Sequence, residues 1–384
     1  MIGVYVHIPF CKSRCRYCDF YSTTLLYRRK EYVEALLREI ELRGVHNPDT
    51  IYLGGGTPSV LEAEDIERIL EAIGTDKAEE VTIEMNPGDL VTVSGYRLAV
   101  SGGINRVSIG VQSFQDQLLR TIGRRHTAEE AREAIRVLRE TGIKNLSLDL
   151  MYGLPGQTLE LWKADIEEAI RTGAEHISCY CLSYEEGTPM WQDLQAGRIR
   201  ETDEETENAM YDYLCEQLRA AGYEHYEVSN FAKPGYRAVH NSRYWNDTPY
   251  IGLGAGAHSY DGQRRSWNPG DIERYIETFS GAKDIKMARD LYVEEEVLTD
   301  EQKRIERIML GLRTCEGIEK GEGDPKNQQI FRGSPGERLK VKGERLKVKG
   351  ERFIKEGLLR EEGDRLIATQ KGLHILNRII EELI

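Results

Sequence analysis

His7-Ile-Pro-Phe-Cys11-Lys-Ser-Arg-Cys15-Arg-Tyr-Cys18 follows directly on the strand-like run Gly3 to Ile8 and sets three thiols at C-x3-C-x2-C spacing. Iron–sulfur clusters normally take four cysteines, so a triplet on one tight loop leaves one iron with an open coordination position. Zinc is the competing reading, but no second ligand pair follows at zinc-knuckle spacing, and His7 lies back on the strand. The expected metal centre is a [4Fe–4S] cluster held by Cys11, Cys15 and Cys18, with one corner free for a further ligand.

Working outward from that loop, short apolar runs alternate with amphipathic stretches, the pattern of βα units around a parallel sheet. Strands are expected at Gly3 to Ile8, Thr50 to Leu53, Glu80 to Glu84, Asn105 to Gly110, Asn145 to Leu150 and His176 to Leu182. Helices are expected at Arg28 to Leu42, Ala63 to Ala72, Ala128 to Glu140 and Glu160 to Arg171. Six such units predict an α/β fold, a partial (βα)6 barrel whose functional loops follow the C-terminal ends of its strands.

The alternation stops near residue 200, which predicts a barrel over 1–200 and a separate aromatic, Gly-rich region over 201–295 that faces a ligand or substrate. A C-terminal domain over 296–384 is expected to end in a small winged-helix-like unit, with a hairpin around Glu362-Gly363-Asp364. Glu337-Arg-Leu-Lys-Val-Lys-Gly343 recurs unchanged as Glu344 to Gly350, and Glu351-Arg352 opens a third copy. This tandem insertion over 337–352 alternates apolar and cationic residues and reads as a surface hairpin or a disordered loop.

The formal charge of −13 over 384 residues argues against nucleic acid or an anionic membrane as the default partner. At most peripheral membrane contact is expected. No run approaches the ~20 apolar residues of a membrane helix, and Met1 leads into the first strand without a signal peptide, so a cytoplasmic protein is expected. Seven cysteines in so long a chain do not form a disulfide framework. Cys179 and Cys181 read as small core residues.

With Tyr17 before its last cysteine, the triplet resembles the hallmark of the radical S-adenosylmethionine (SAM) superfamily. Other elements follow in order: Gly54-Gly-Gly-Thr57-Pro58-Ser59, Glu84-Met-Asn-Pro-Gly88, Gly110-Val-Gln112-Ser-Phe114 and Asp149-Leu-Met-Tyr-Gly-Leu-Pro-Gly-Gln157-Thr158. Within the superfamily these strings are similar to those of the oxygen-independent coproporphyrinogen III oxidases and their relatives. That resemblance implies that Tyr5, Tyr17, Gly55, Gly56, Thr57, Glu84, Gln112, Arg124 and Asp149 contact SAM. Arg124 suits its carboxylate, and the acids and amide suit its polar ends. Plain structural readings stand beside these: Glu84 and Asp149 as turn or loop caps, Gln112 and Arg124 as surface side chains. The chemistry implied is reductive cleavage of SAM to methionine and a 5′-deoxyadenosyl radical.

Two branches of the family are open, the oxidases and the HemW-type haem chaperones. The oxidases carry a further cysteine two residues past the third ligand, where this chain has Asp19-Phe20-Tyr21, and an N-terminal extension before the first strand. His240-Asn241-Ser-Arg-Tyr244-Trp245 matches the H-N-x-x-Y-W motif of the chaperone-like branch. The resemblance therefore points to haem as a ligand, with His240, Tyr244 and Trp245 as its contacts and His258 or His225 as alternative axial ligands. Haem-accepting proteins and an electron donor are the implied partners. Oxidative decarboxylation of coproporphyrinogen III is the alternative activity.

Overall fold

A computed structural model describes residues 2–90, 101–320 and 350–384. Six parallel strands, β1 (Gly3–Ile8), β2 (Thr50–Gly55), β3 (Glu80–Met85), β4 (Arg106–Gln112), β5 (Asn145–Tyr152) and β6 (His176–Cys181), stand side by side in chain order. Helices Arg29–Arg43, Ala63–Ile73, Ala128–Glu140 and Leu159–Arg171 connect them. Successive side chains on a strand face opposite ways, and here the two faces differ in kind. Val4, Val6, Ile51, Leu53, Val81, Ile83, Val107, Ile109, Leu146, Leu148 and Ile177 are buried in the apolar core. The alternate positions, Tyr5, Tyr52, Glu84, Ser108, Asp149, Ser178 and Tyr180, line cavities instead. A closed barrel fills its interior with bulky apolar residues; this one keeps a polar lumen.

The sheet does not end with the sixth strand. β8 (Asn230–Ala232) adds antiparallel to β6 and β7 (Glu224–Glu227) antiparallel to β8, while β9 (Tyr250–Leu253) pairs parallel with β1. From β9 the sheet continues antiparallel through β10 (His258–Tyr260), β11 (Arg264–Trp267) and β12 (Glu294–Val297), giving twelve strands in all. The region expected to be separate over 201–295 is thus largely an extension of the barrel sheet on both flanks. Its outer edge, β12, is exposed along its length and carries three glutamates, which discourages pairing with another chain.

The C-terminal region has its own small core, including Ile308, Ile318, Phe353, Leu366 and Ile379. β13 (Ile318–Glu319), β14 (Leu359–Glu362) and β15 (Arg365–Ala368) form an antiparallel sheet beside helices Asp300–Gly311 and Leu376–Leu383, with the hairpin where the sequence places it. The duplicated segment falls outside the described residues up to residue 349. No helix among the described residues is long and apolar enough to cross a membrane.

Candidate functional site

The loop after β1 is pinned at both ends. Cys11 N donates to Thr23 O at 2.9 Å and Thr23 N to Pro9 O at 2.7 Å; further on, Arg16 N donates to Ile122 O at 3.0 Å. All three cysteines of the loop are free thiols that line one cavity of about 470 Å³. Burial, chiefly, raises the Cys11 thiol and pushes Cys18 up to about 11, so a bound cation is what would bring out the thiolates. Among the described residues no three His, Cys, Asp or Glu side chains are grouped to hold a single metal ion. Three free thiols of one loop lining one cavity are the donor set of a cluster that offers each sulfur its own iron.

The glycine motif ends β2 directly against this loop. Gly55 has φ +110°, and a Cβ there would lie 2.7 Å from the His7 ring; at Gly56 it would lie 2.8 Å from Phe10 O. Glycine is required for the strand end to pass so near. Glu84 accepts from Tyr52 OH at 2.7 Å and from Gly55 N at 3.2 Å. Withdrawal from water pushes its carboxyl up to about 7 despite those donors. Asp149, raised by burial, accepts from Ser108 Oγ at 3.1 Å. Arg124 Nη1 donates to Cys15 Sγ at 3.4 Å and its Nη2 to Gly110 O, which sets a fixed cation beside the cluster loop. Gln112 sits at a bulge where β4 slips against β5, with a left-handed φ of +67°. Such strain in a non-glycine residue persists where the surroundings hold a side chain in a required place.

Tyr17, Gly55, Gly56, Thr57, Glu84, Gln112, Arg124 and Asp149 all line the cavity with the cysteines. Tyr5 does not. Its hydroxyl bonds His7 Nδ1 at 3.0 Å, and its ring lines an adjoining cavity of about 360 Å³ with Tyr244, Trp245 and the turn Glu227 to Asn230. The two cavities share Tyr52, Glu84, Tyr180 and Asn241, so they lie side by side as two lobes against the same side chains.

His240 departs from the expected haem ligand. Its ring is 0% exposed, with Nδ1 on Thr50 Oγ1 at 2.9 Å and Nε2 on Tyr244 OH at 3.0 Å. Both nitrogens are engaged because helix Val239–Trp245 plugs the barrel base with this side, while Asn241, Tyr244 and Trp245 reach the second lobe. His225 stacks on Phe231 at 4.2 Å and is pushed down to about 4 by burial. His258 is exposed and stacks on Trp267 at 5.8 Å. Cys179 is core, as expected, but Cys181 is exposed at the cavity mouth where β6 ends.

Sequence reasoning missed Tyr52, Tyr180, Glu227 and Arg106. Tyr52 and Tyr180 stand at inward positions of β2 and β6, so strand parity marks them. Glu227, 2% exposed, is pushed up to about 7 by burial. The Ser229 and Asn230 amides and the Asn230 side chain face its carboxylate, but none is in hydrogen-bonding geometry. Arg106 is fully buried with Nε and Nη1 unpartnered, and its charge favours ionisation of Glu84 and Asp149.

The Radical SAM superfamily model matches residues 5–169. The heme chaperone HemW of Lactococcus lactis is 35% identical over 387 residues, covering 100% of this chain and 97% of its own. That of Bacillus subtilis is 38% identical, covering 83% of this chain and 85% of its own. In fold, the chain is similar to the coproporphyrinogen III oxidase HemN of Escherichia coli, a radical SAM enzyme, with a TM-score of 0.80 at 21% identity over 100% of this chain and 89% of that one. The superfamily match over the cysteine loop and barrel, with 35% identity to one HemW over the whole chain and 38% to another over 83% of it, establishes that the chain belongs to the radical SAM superfamily and, within it, to the HemW family.

Proposed function

We propose that the protein is a haem chaperone: it holds a [4Fe–4S] cluster on Cys11, Cys15 and Cys18, binds SAM beneath it, takes haem into the adjoining lobe and passes haem to acceptor proteins. The observation that carries this reading is the pair of adjoining cavities, a cofactor one that shares Tyr52, Glu84, Tyr180 and Asn241 with an aromatic one. Cluster and SAM, when bound, supply one-electron cleavage chemistry. The chain positions them: Glu84 and Asp149 suit the ammonium and ribose of SAM, Arg124 its carboxylate, and Gly55 and Gly56 leave room for the backbone to approach.

In the second lobe Tyr244, Trp245 and Tyr180 offer aromatic surface to a flat tetrapyrrole, and His240 fixes the Tyr244 hydroxyl rather than meeting the ligand. Glu227, neutral below about 7, and the unpartnered Oδ1 of Asn230 leave hydrogen-bonding capacity for polar groups of that ligand.

Haem titration of the anaerobically reconstituted protein tests this. A saturable Soret shift is expected, weakened about tenfold in the double variant Tyr244→Leu/Trp245→Leu with iron, sulfide and SAM binding retained. No Soret shift in the wild type would end the reading. Decarboxylated product from coproporphyrinogen III under reducing, anaerobic conditions would replace it with the oxidase activity.

A further inference from the structure

Arg106 opens β4, is 1% exposed and lines the cofactor cavity. Among the described residues neither its Nε nor its Nη1 has a hydrogen-bond partner, and the hydroxyl of Thr82, level with Arg106 on β3, is unpartnered too. The acids around it are engaged elsewhere. Glu84 turns its two oxygens to Tyr52 and Gly55, both oxygens of Asp149 accept from Ser108 Oγ, and Glu80 accepts from the amides of Val239 and His240. Glu84 and Asp149 thus meet Arg106 through its field alone. The groups at the barrel base close on one another as well: His176 bonds Ser147 Oγ at 2.8 Å and Tyr226 OH at 2.7 Å. A buried charged donor without a partner is costly, and one retained beside a cavity calls for an anion to complete it.

Which anion follows from where the cation stands. The other cations lining the cofactor cavity, Arg14, Arg124 and Arg125, belong to the loops at the C-terminal ends of the strands, with Arg124 on Cys15 and Gly110 O and Arg125 on Asp89. Arg106 lies four residues before Gly110 on the same strand, roughly 13 Å lower at the rise of a parallel strand. The single carboxylate of SAM, matched to Arg124, cannot also serve it. The field of Arg106 reaches Tyr52 and Glu84, which both cavities share, and His240 and Tyr226 at the base, so it stands where the two lobes adjoin. We infer that Arg106 anchors one propionate of haem, with the Thr82 hydroxyl beside it, while the ring lies against Tyr244 and Trp245. A planar guanidinium matches a carboxylate with paired, charge-assisted hydrogen bonds. The other charged side chains of the lower lumen, Glu84, Asp149 and Glu227, are acids, so this is the point to which a carboxylate is directed. The inference rests on the haem reading and names the group of haem that the site recognises.

Soret titration of the reconstituted protein with haem and with haem dimethyl ester, whose two propionates are capped and uncharged, tests it. The wild type is expected to bind the free acid about tenfold more tightly than the ester. In Arg106→Gln that preference is expected to vanish, with affinity for the ester close to that of the wild type, and in Arg106→Lys, which keeps the charge without the planar fork, a severalfold preference should remain. The ratio of the two affinities separates recognition from damage, because a disturbed barrel weakens both ligands alike. Equal affinity of the wild type for acid and ester overturns the inference and leaves the haem reading standing. A preference undiminished in Arg106→Gln overturns it as well, whatever the loss of overall affinity. No Soret shift with either ligand in the wild type takes down the haem reading and this inference with it.

Discussion

Glu84 shows how one side chain can couple cofactor binding to pH. It stands where the two lobes meet, with one oxygen on the Tyr52 hydroxyl and the other on the Gly55 N–H, and burial pushes its pKa up to about 7. Only the ionised form pairs with an ammonium group. SAM affinity should therefore rise as pH increases from 6 to 8, and in Glu84→Gln it should be about tenfold weaker at pH 8 and flat with pH. Equilibrium dialysis of the reconstituted proteins measures both, and a Gln variant with the wild-type profile would remove Glu84 from the site. Glu84 was legible in the sequence because it ends a strand within a recognisable string. Tyr52 and Tyr180 were not, because each is a lone inward residue of its strand outside any local motif, marked by strand parity alone.

At the scale of elements, the six barrel strands were readable because their outward faces are near-continuous Val, Ile and Leu. β2, β3, β4 and β5 run one or two residues beyond their expected ends because the motif residues continue the pairing, as at His7 opposite Gly54. The flanking strands escaped notice for the opposite reason: three or four residues such as Glu294 to Val297 or Arg264 to Trp267 carry charge and too short a period. Helix Val239–Trp245 was read as a ligand motif, yet a residue far away in sequence places it. Glu80, at the start of β3, accepts from Val239 N at 2.8 Å and His240 N at 3.0 Å, satisfying donors at the helix start from another element. Glu80→Ala should cost about 2 kcal/mol of stability and weaken haem binding by loosening Tyr244 and Trp245, with SAM binding retained. Urea denaturation and the two titrations check this, and equal loss of both ligands would mean that the whole barrel had been disturbed.

For the whole molecule, a polar lumen makes stability a function of pH with two opposing parts. Burial pushes His7 and His225 down to about 4, His126 and His240 down to about 3, and His176 well below the usual range. The unfolded chain binds those protons first, so this part of the stability is lost as pH falls below about 6.5. The carboxyls of Glu84 and Glu227, pushed up to about 7, and of Asp165, pushed up to about 6, act the other way. They keep protons that the unfolded chain has released, so their contribution is present below about 4.5 and lost as pH rises through 7. Stability of the chain should accordingly fall on the acid side and level off near neutrality. Comparison with Glu227→Gln isolates one carboxyl, because the histidines cancel in the difference. The variant should gain on the wild type steadily from about pH 4.5 to 7 and hold a constant margin above that, up to about 3 kcal/mol at 1.36 kcal/mol per pKa unit. Urea denaturation at pH 5, 6, 7 and 8 measures the margin, and one that does not widen with pH would show that Glu227 ionises as readily in the fold as in water.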